Sequence, residues 1–113
     1  MEIDRQLLKG TIPLLVLRLL DRGELYGYQL IKSLDELSAG AFRFSEGSLY
    51  PVLHSLERDG LLSAHWQSGE SGRKRKYYTI TGRGRAELAA RLRQWRTFAA
   101  AIETVLAEEP PDA

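Results

Sequence analysis

The spacing of apolar residues changes twice in this chain, and each change marks a boundary that any fold must respect. Leu62, Ala64 and Trp66 alternate with Ser63, His65 and Gln67, the turn formers "SGESG" follow, and then Tyr78 and Ile80 alternate with Tyr77 and Thr79. A period of two belongs to a strand, so this stretch predicts a β-hairpin whose second strand is basic. On both sides of it the apolar spacing is three and four, the period of a helix.

"TIPLLVLRLLDRG" predicts a first helix, with Thr11 as N-cap, Pro13 in the first turn where its missing N–H does no harm, and a stop at Gly23. Its apolar side chains surround nearly the whole circumference, which suits a central helix rather than an outer one. "YGYQLIKSLDELSAG" predicts a second, amphipathic helix with Tyr26, Leu30, Leu34 and Leu37 on its stripe and Gly40 at the C-cap. "SEGSLYPVLHSLERDG" predicts a third, with Leu49, Val52, Leu53 and Leu56 as the core stripe and Gly60 as the stop. Pro51 leaves two starts open. With Ser48 as N-cap it stands at N3; with Ser45 as N-cap it stands at N6, opposite Gly47.

Beyond the hairpin, Thr81 caps a last helix in which Leu88, Leu92, Trp95, Ala99, Ile102 and Leu106 recur at alternating spacings of four and three. That is the seam of a coiled coil. A helix of about 25 residues is roughly 37 Å long, more than so small a domain can cover. Part of the seam is therefore expected to meet another chain, and these six residues are the candidate dimerisation set.

The formal net charge of +1 conceals a sharp segregation. Residues 1–70 carry seven Lys and Arg against ten acids, residues 71–96 nine against one, and residues 97–113 none against four. A local cationic excess of that size repels itself unless solvent or a polyanion takes it up, and nucleic acid is the polyanion at hand. The 113 residues suffice for one core, and 43% hydrophobic and 27% charged residues describe a folded domain rather than a disordered one. The longest apolar run is broken by Arg18 and falls far short of a bilayer span, so no membrane partner is expected. The acidic start lacks the features of a secretory signal, and the chain has no Cys. Both point to the cytoplasm, with association to the nucleoid when DNA is bound.

Helices, a basic hairpin and a terminal helix in this order predict a winged helix-turn-helix, mainly α with a β-hairpin wing, extended by a long C-terminal dimerisation helix. The expected divisions are 1–80 for the DNA-binding domain, 81–106 for the dimerisation helix and 107–113 for a disordered acidic tail. The third helix would enter the major groove, while the cations of the wing would lie over phosphates and "YYTI" would anchor the ribbon, Tyr78 and Ile80 packing with Trp66 and Leu62. The segments "LYGY", "SEGSLYPVLHSLERDGL" and "RKYYTIT" occur in that order. Over about residues 7–106 the chain resembles the PadR family of bacterial transcriptional regulators, in its shorter form. The resemblance implies dimeric DNA-binding repressors released by small phenolic or planar hydrophobic compounds. The family often has Thr where this chain has Ser48, which keeps the hydroxyl.

On the third helix Ser48, Tyr50 and His54 are the candidate DNA contacts, by hydrogen bonds to phosphate, a thymine methyl or a base edge. Ser48 has the alternative of serving only as a cap, and His54 of being a solvated surface residue. Arg58 reads as a salt-bridge partner of nearby acids. Arg73, Lys74, Arg75 and Lys76 are the candidate phosphate contacts of the wing, and Arg83, Arg85, Arg91, Arg93 and Arg96 extend the basic surface or are merely solvated. Trp95, beside Phe98, has two readings: an apolar residue filling a helix interface, or one flat wall of a cavity for an aromatic effector. No set of residues matches a metal site, a cofactor fingerprint or a nucleophile with its base, so neither enzymatic activity nor a cofactor is expected. The leading function is a homodimeric, effector-responsive repressor on a palindromic operator of double-stranded DNA. A winged helix used only for protein contacts, or for non-specific coating of nucleic acid, remains open on the same residues.

Overall fold

The computed structural model describes residues 5–8 and 10–108. Its elements are α1 (Arg5–Leu8), α2 (Ile12–Asp21), β1 (Leu25–Tyr26), α3 (Gly27–Leu37), α4 (Glu46–Arg58), β2 (Leu62–Ser68), β3 (Lys74–Ile80) and α5 (Gly82–Ala107). The expected acidic tail falls, from Glu109 onward, outside the described residues.

Helix α2 is the hub: Val16, Leu17, Leu19 and Leu20 are buried, and Ile12, Leu14 and Leu15 pack against the same cluster. Thr11 stands at its N-cap as expected, but the hydroxyl turns back and donates to the Leu8 carbonyl at 2.6 Å rather than capping the helix. Around α2 close Leu30 and Leu34 from α3, Leu49, Leu53 and Leu56 from α4, Leu61 just before β2, and Leu62, Tyr78 and Ile80 from the sheet. Helices α3 and α4 form the helix-turn-helix. The reversal between them runs through Ala39 (φ 53°) and Gly40 (φ 86°), and the Gly40 amide donates to the Asp35 carbonyl at 2.8 Å. Glycine meets no steric penalty in that left-handed region, which is why the chain turns there.

The α4 start is at Ser45, not Ser48. Ser45 Oγ accepts the Ser48 amide at 3.2 Å while Ser48 Oγ accepts the Ser45 amide at 3.1 Å, a reciprocal capping arrangement. Pro51 thus stands at the sixth helical position.

The hairpin forms in the register Leu62 with Ile80 through Ser68 with Lys74. It carries a third strand that no periodicity announced: β1 pairs Leu25 with Tyr78 and Tyr26 with Tyr77, giving the antiparallel order β1-β3-β2. Tyr26, read above as the first residue of the helical stripe, is therefore a strand residue and the cap of α3. Leu37, at the other end of that stripe, is exposed. Trp66 also departs from expectation. It shares the inner face with Leu62 and Ala64 but remains 66% exposed, because the hairpin has by then run past the edge of the core.

Helix α5 leaves the sheet at a fixed angle. Thr81 Oγ1 accepts the Gly84 amide at 3.0 Å and donates to the Gly60 carbonyl at 2.7 Å. Any Cβ at Gly84 would collide with the Leu61 carbonyl and stand 2.7 Å from Ile80 Cγ1. Only Gly84 and Leu88 of this helix are buried, and every described residue from Ala101 onward is exposed. The radius of gyration is 16.9 Å, against about 13 Å for a compact chain of this length, and the longest dimension is 68 Å. Leu88, expected on the intermolecular seam, belongs to the domain's own core. Beyond it on the same stripe, Leu92 is half-buried and Trp95 is the first exposed residue.

Candidate nucleic-acid interface

Helix α4 turns Leu49, Leu53 and Leu56 inward, so the opposite ridge is Gly47, Pro51, His54 and Arg58, at spacings of four, three and four, all exposed. His54 lies on the ridge as the sequence suggested. Arg58 lies there too. Its guanidinium donates to Ser55 Oγ at 3.3 Å, and it forms no ion pair among the described residues, contrary to the salt-bridge reading above. The pattern i, i+4 from His54 was the signal that would have found it.

Ser48 and Tyr50 stand to either side of that ridge. The Ser48 hydroxyl is exposed but engaged in the cap, donating to the Ser45 carbonyl at 3.0 Å. Tyr50 is half-buried because its ring lies against Gly27, where a Cβ would stand 2.9 Å from the phenol oxygen. Burial, and then the Glu46 carboxylate, push its pKa above the ordinary 10.0. Its ring, hydroxyl included, is held against Gly27 at the start of α3.

The wing divides its four cations. Arg73 and Lys74, at the tip, are exposed and form no ion pair among the described residues. Arg75 is turned to the outer face, where its guanidinium carbon stands 4.6 Å from the Tyr26 ring centroid and one N–H donates to the Tyr26 hydroxyl at 3.0 Å. The outer face is completed by Tyr77, which takes the edge of Tyr26 at 5.3 Å and stacks with His65 at 5.8 Å, while His65 Nε2 lies 3.1 Å from Glu24 Oε2. Lys76 is turned inward. Its ammonium donates to Glu57 of α4 at 3.0 Å and lies 5.3 Å from the Tyr78 ring centroid. The hydrogen bond to Glu57 holds the Lys76 pKa above its usual 10.5 despite some desolvation. The pair ties the inner face of the wing to α4. Between them lies an open cleft of about 380 Å³, lined among others by Tyr28, Tyr50, His54 and Trp66 and by the cations Lys74, Arg75 and Lys76.

On α5 the Arg side chains also divide: Arg85 pairs with Asp21 at 3.4 Å and Arg91 with Glu87 at 2.9 Å. Trp95 and Phe98 stand 6.2 Å apart, centroid to centroid, and share with Thr11, Leu14 and Gln94 a groove of about 300 Å³. Trp95 is 43% exposed and Ile102 41%, and Leu106 is exposed as well. Among the described residues no three metal-binding side chains gather, and no helix is long and apolar enough to cross a membrane.

Residues 16–90 match the family described as transcriptional regulator PadR-like. The transcriptional regulator Rv3488 of Mycobacterium tuberculosis is 39% identical over 84 residues, 74% of this chain and 75% of that protein. The crystal structure of a PadR family transcriptional regulator from Eggerthella lenta superposes with a TM-score of 0.82 at 34% identity, covering 93% of this chain and 89% of that one. A PadR-like regulator from Bacillus cereus gives a TM-score of 0.81 at 31% identity, covering 92% and 99%.

Proposed function

The chain belongs to the transcriptional regulator PadR-like family and is a DNA-binding regulator, and on that premise we propose that it works as a homodimeric repressor released by a small planar aromatic effector. The observation that carries this reading is the stripe of α5 from Leu92 through Trp95, Ala99 and Ile102 to Leu106, of which Leu92 and Ala99 are half-buried while Trp95, Ile102 and Leu106 stand exposed. A row of large apolar side chains at seam spacing is stable in water when a second helix covers it, and a two-fold axis lets the same row cover itself. The same axis sets two α4 helices to face successive turns of the major groove, about 34–36 Å apart, which requires a palindromic operator. Residues 1–80 then serve as the DNA-binding part, 81–106 as the dimerisation helix and 107–113 as an acidic tail, in a protein acting in the cytoplasm on the nucleoid.

Trp95 and Phe98 stand where the groove beside α2 meets that seam, so a flat aromatic compound seated there touches the element that spaces the two α4 helices. If the compound favours one spacing, it must change DNA affinity by the factor by which DNA changes its own affinity. On the DNA side, Ser48, Tyr50 and His54 with Arg58 face the groove, and Arg73 and Lys74 meet phosphate.

Sedimentation combined with titration of the duplex upstream of the protein's own gene, beside a random duplex, tests the reading. Leu92→Glu and Ile102→Glu are expected to give monomers that lose preference for the upstream duplex, and Trp95→Ala a weaker dimer that binds DNA but responds poorly to aromatic ligands. Monomers retaining full affinity for the upstream duplex overturn the dimeric unit.

A further inference from the structure

Four large aromatic side chains are exposed among the described residues. Trp95 and Phe98 belong to α5, but Tyr28 and Trp66 both line the cleft between α4 and the wing. We propose that this cleft is a seat for one sugar–phosphate strand of duplex DNA, with Trp66 packing on deoxyribose, so that recognition helix and wing grip the same strand. The proposal rests on the DNA-binding reading and adds to it a contact that neither the basic run nor the recognition helix contains.

Trp66 is presented rather than left over. Along β2 the inner face passes from Leu62, buried, to Ala64, half-buried, to Trp66, exposed, and the next inner positions on β3 are Lys76 and Lys74. An indole is thereby placed opposite Lys76, one inner position from Lys74, on the cleft that Tyr50 and His54 also line. An apolar protein partner would have to bury Lys74 without a counter-charge, which is costly, and a free phosphate has no use for the ring. A nucleic-acid backbone presents both an apolar sugar face and an anion at each repeat, and the indole N–H, Lys74 and the His54 ring are donors for that anion. The Lys76 to Glu57 pair at 3.0 Å fixes the width of the cleft by joining its two walls. Lys76 is thereby a positioning residue, while Trp66 and Lys74 touch the strand. Because sugar and phosphate are the same at every base pair, the contact raises affinity without choosing a sequence.

The chain has two Trp residues, so Trp95→Phe leaves Trp66 as the sole indole reporter in the full-length protein. This variant is titrated with a dye-labelled duplex from upstream of the gene and with a random duplex, reading dye anisotropy and indole emission together. The expected result is quenching of Trp66 that saturates with the anisotropy on both duplexes, and loss of iodide access to the ring. In the otherwise native chain, Trp66→Ala is expected to weaken both duplexes by the same factor, about 5- to 100-fold for each of the two Trp66 contacts a dimer makes, with an unchanged salt slope. Trp66→Phe restores most of the affinity. Saturating anisotropy with silent Trp66 emission, or unchanged affinity in Trp66→Ala, overturns the cleft proposal alone and leaves Trp66 for a protein contact. If the native chain binds neither duplex, the DNA-binding reading falls and the cleft proposal falls with it.

Discussion

The division of the wing cations gives a quantitative expectation. Arg73 and Lys74 are exposed and free of ion pairs among the described residues, whereas the Arg75 guanidinium is committed to Tyr26 at 3.0 Å. Each phosphate neutralised steepens the dependence of log affinity on log salt by about 0.9. Arg73→Ala with Lys74→Ala removes two such contacts per protomer, which in a dimer flattens the slope by about 3.6. Between 50 and 200 mM salt, that change makes the ratio of native to variant affinity shrink about 150-fold, a span that anisotropy titrations at four salt concentrations resolve easily. Arg75→Ala is expected to flatten the slope by less than about 0.9 per dimer, since its guanidinium, though fully charged, is held on the Tyr26 ring and hydroxyl rather than free to reach a phosphate. The reasoning is refuted if the tip variant keeps the native slope, or if Arg75→Ala lowers it by the roughly 1.8 per dimer of a full contact in each protomer.

Three further outcomes are expected. Glu57→Gln removes the carboxylate that neutralises Lys76, so the salt slope steepens on any duplex, while the loosened cleft lowers affinity at high salt; an unchanged slope means that the pair does not hold the cation back. Gly84→Ala drives a methyl group into the Leu61 carbonyl and Ile80, at about 1–3 kcal/mol, and thermal melts followed by circular dichroism should shift down by roughly 4–8 °C per kcal/mol; a native-like melt would show that α5 can rise off the sheet freely. Burial raises the pKa values of Tyr50 and Tyr78 above 10.0, and the hydrogen bond to Glu57 raises that of Lys76 above 10.5. In each case the folded state holds its proton more tightly than the unfolded chain. Stability from these groups is thus present through neutral pH and is lost as pH rises from about 10 through the raised values. Denaturant midpoints measured from pH 8 to 11, beside tyrosinate absorbance, check this; flat midpoints across the Tyr titration contradict it.

The helices, the hairpin and its charge were legible in the residues because each depends on local rules: period, cap, stop and the repulsion of like charges. The positions of Leu49, Leu53 and Leu56 inward and of His54 outward follow from the period of α4 alone. What spacing leaves open is how far the domain extends beneath an element. Leu88 and Leu92 are equivalent on the seam, yet only Leu88 is overlain by the domain's core. Leu62 and Trp66 are equivalent on the strand, yet the core ends between them. Strand β1 is two residues long, too short to carry a period, and exists because β3 presents an edge to which Leu25 and Tyr26 can pair. The run "RKRK" shows the same limit for charge. Alternation assigns Arg75 and Lys76 to opposite faces, but only packing brings Tyr26 to one and Glu57 to the other. Local pattern therefore determined the elements and their faces, while the meeting of elements distant in sequence decided which cations are free, which seam residues are exposed and where a cleft opens.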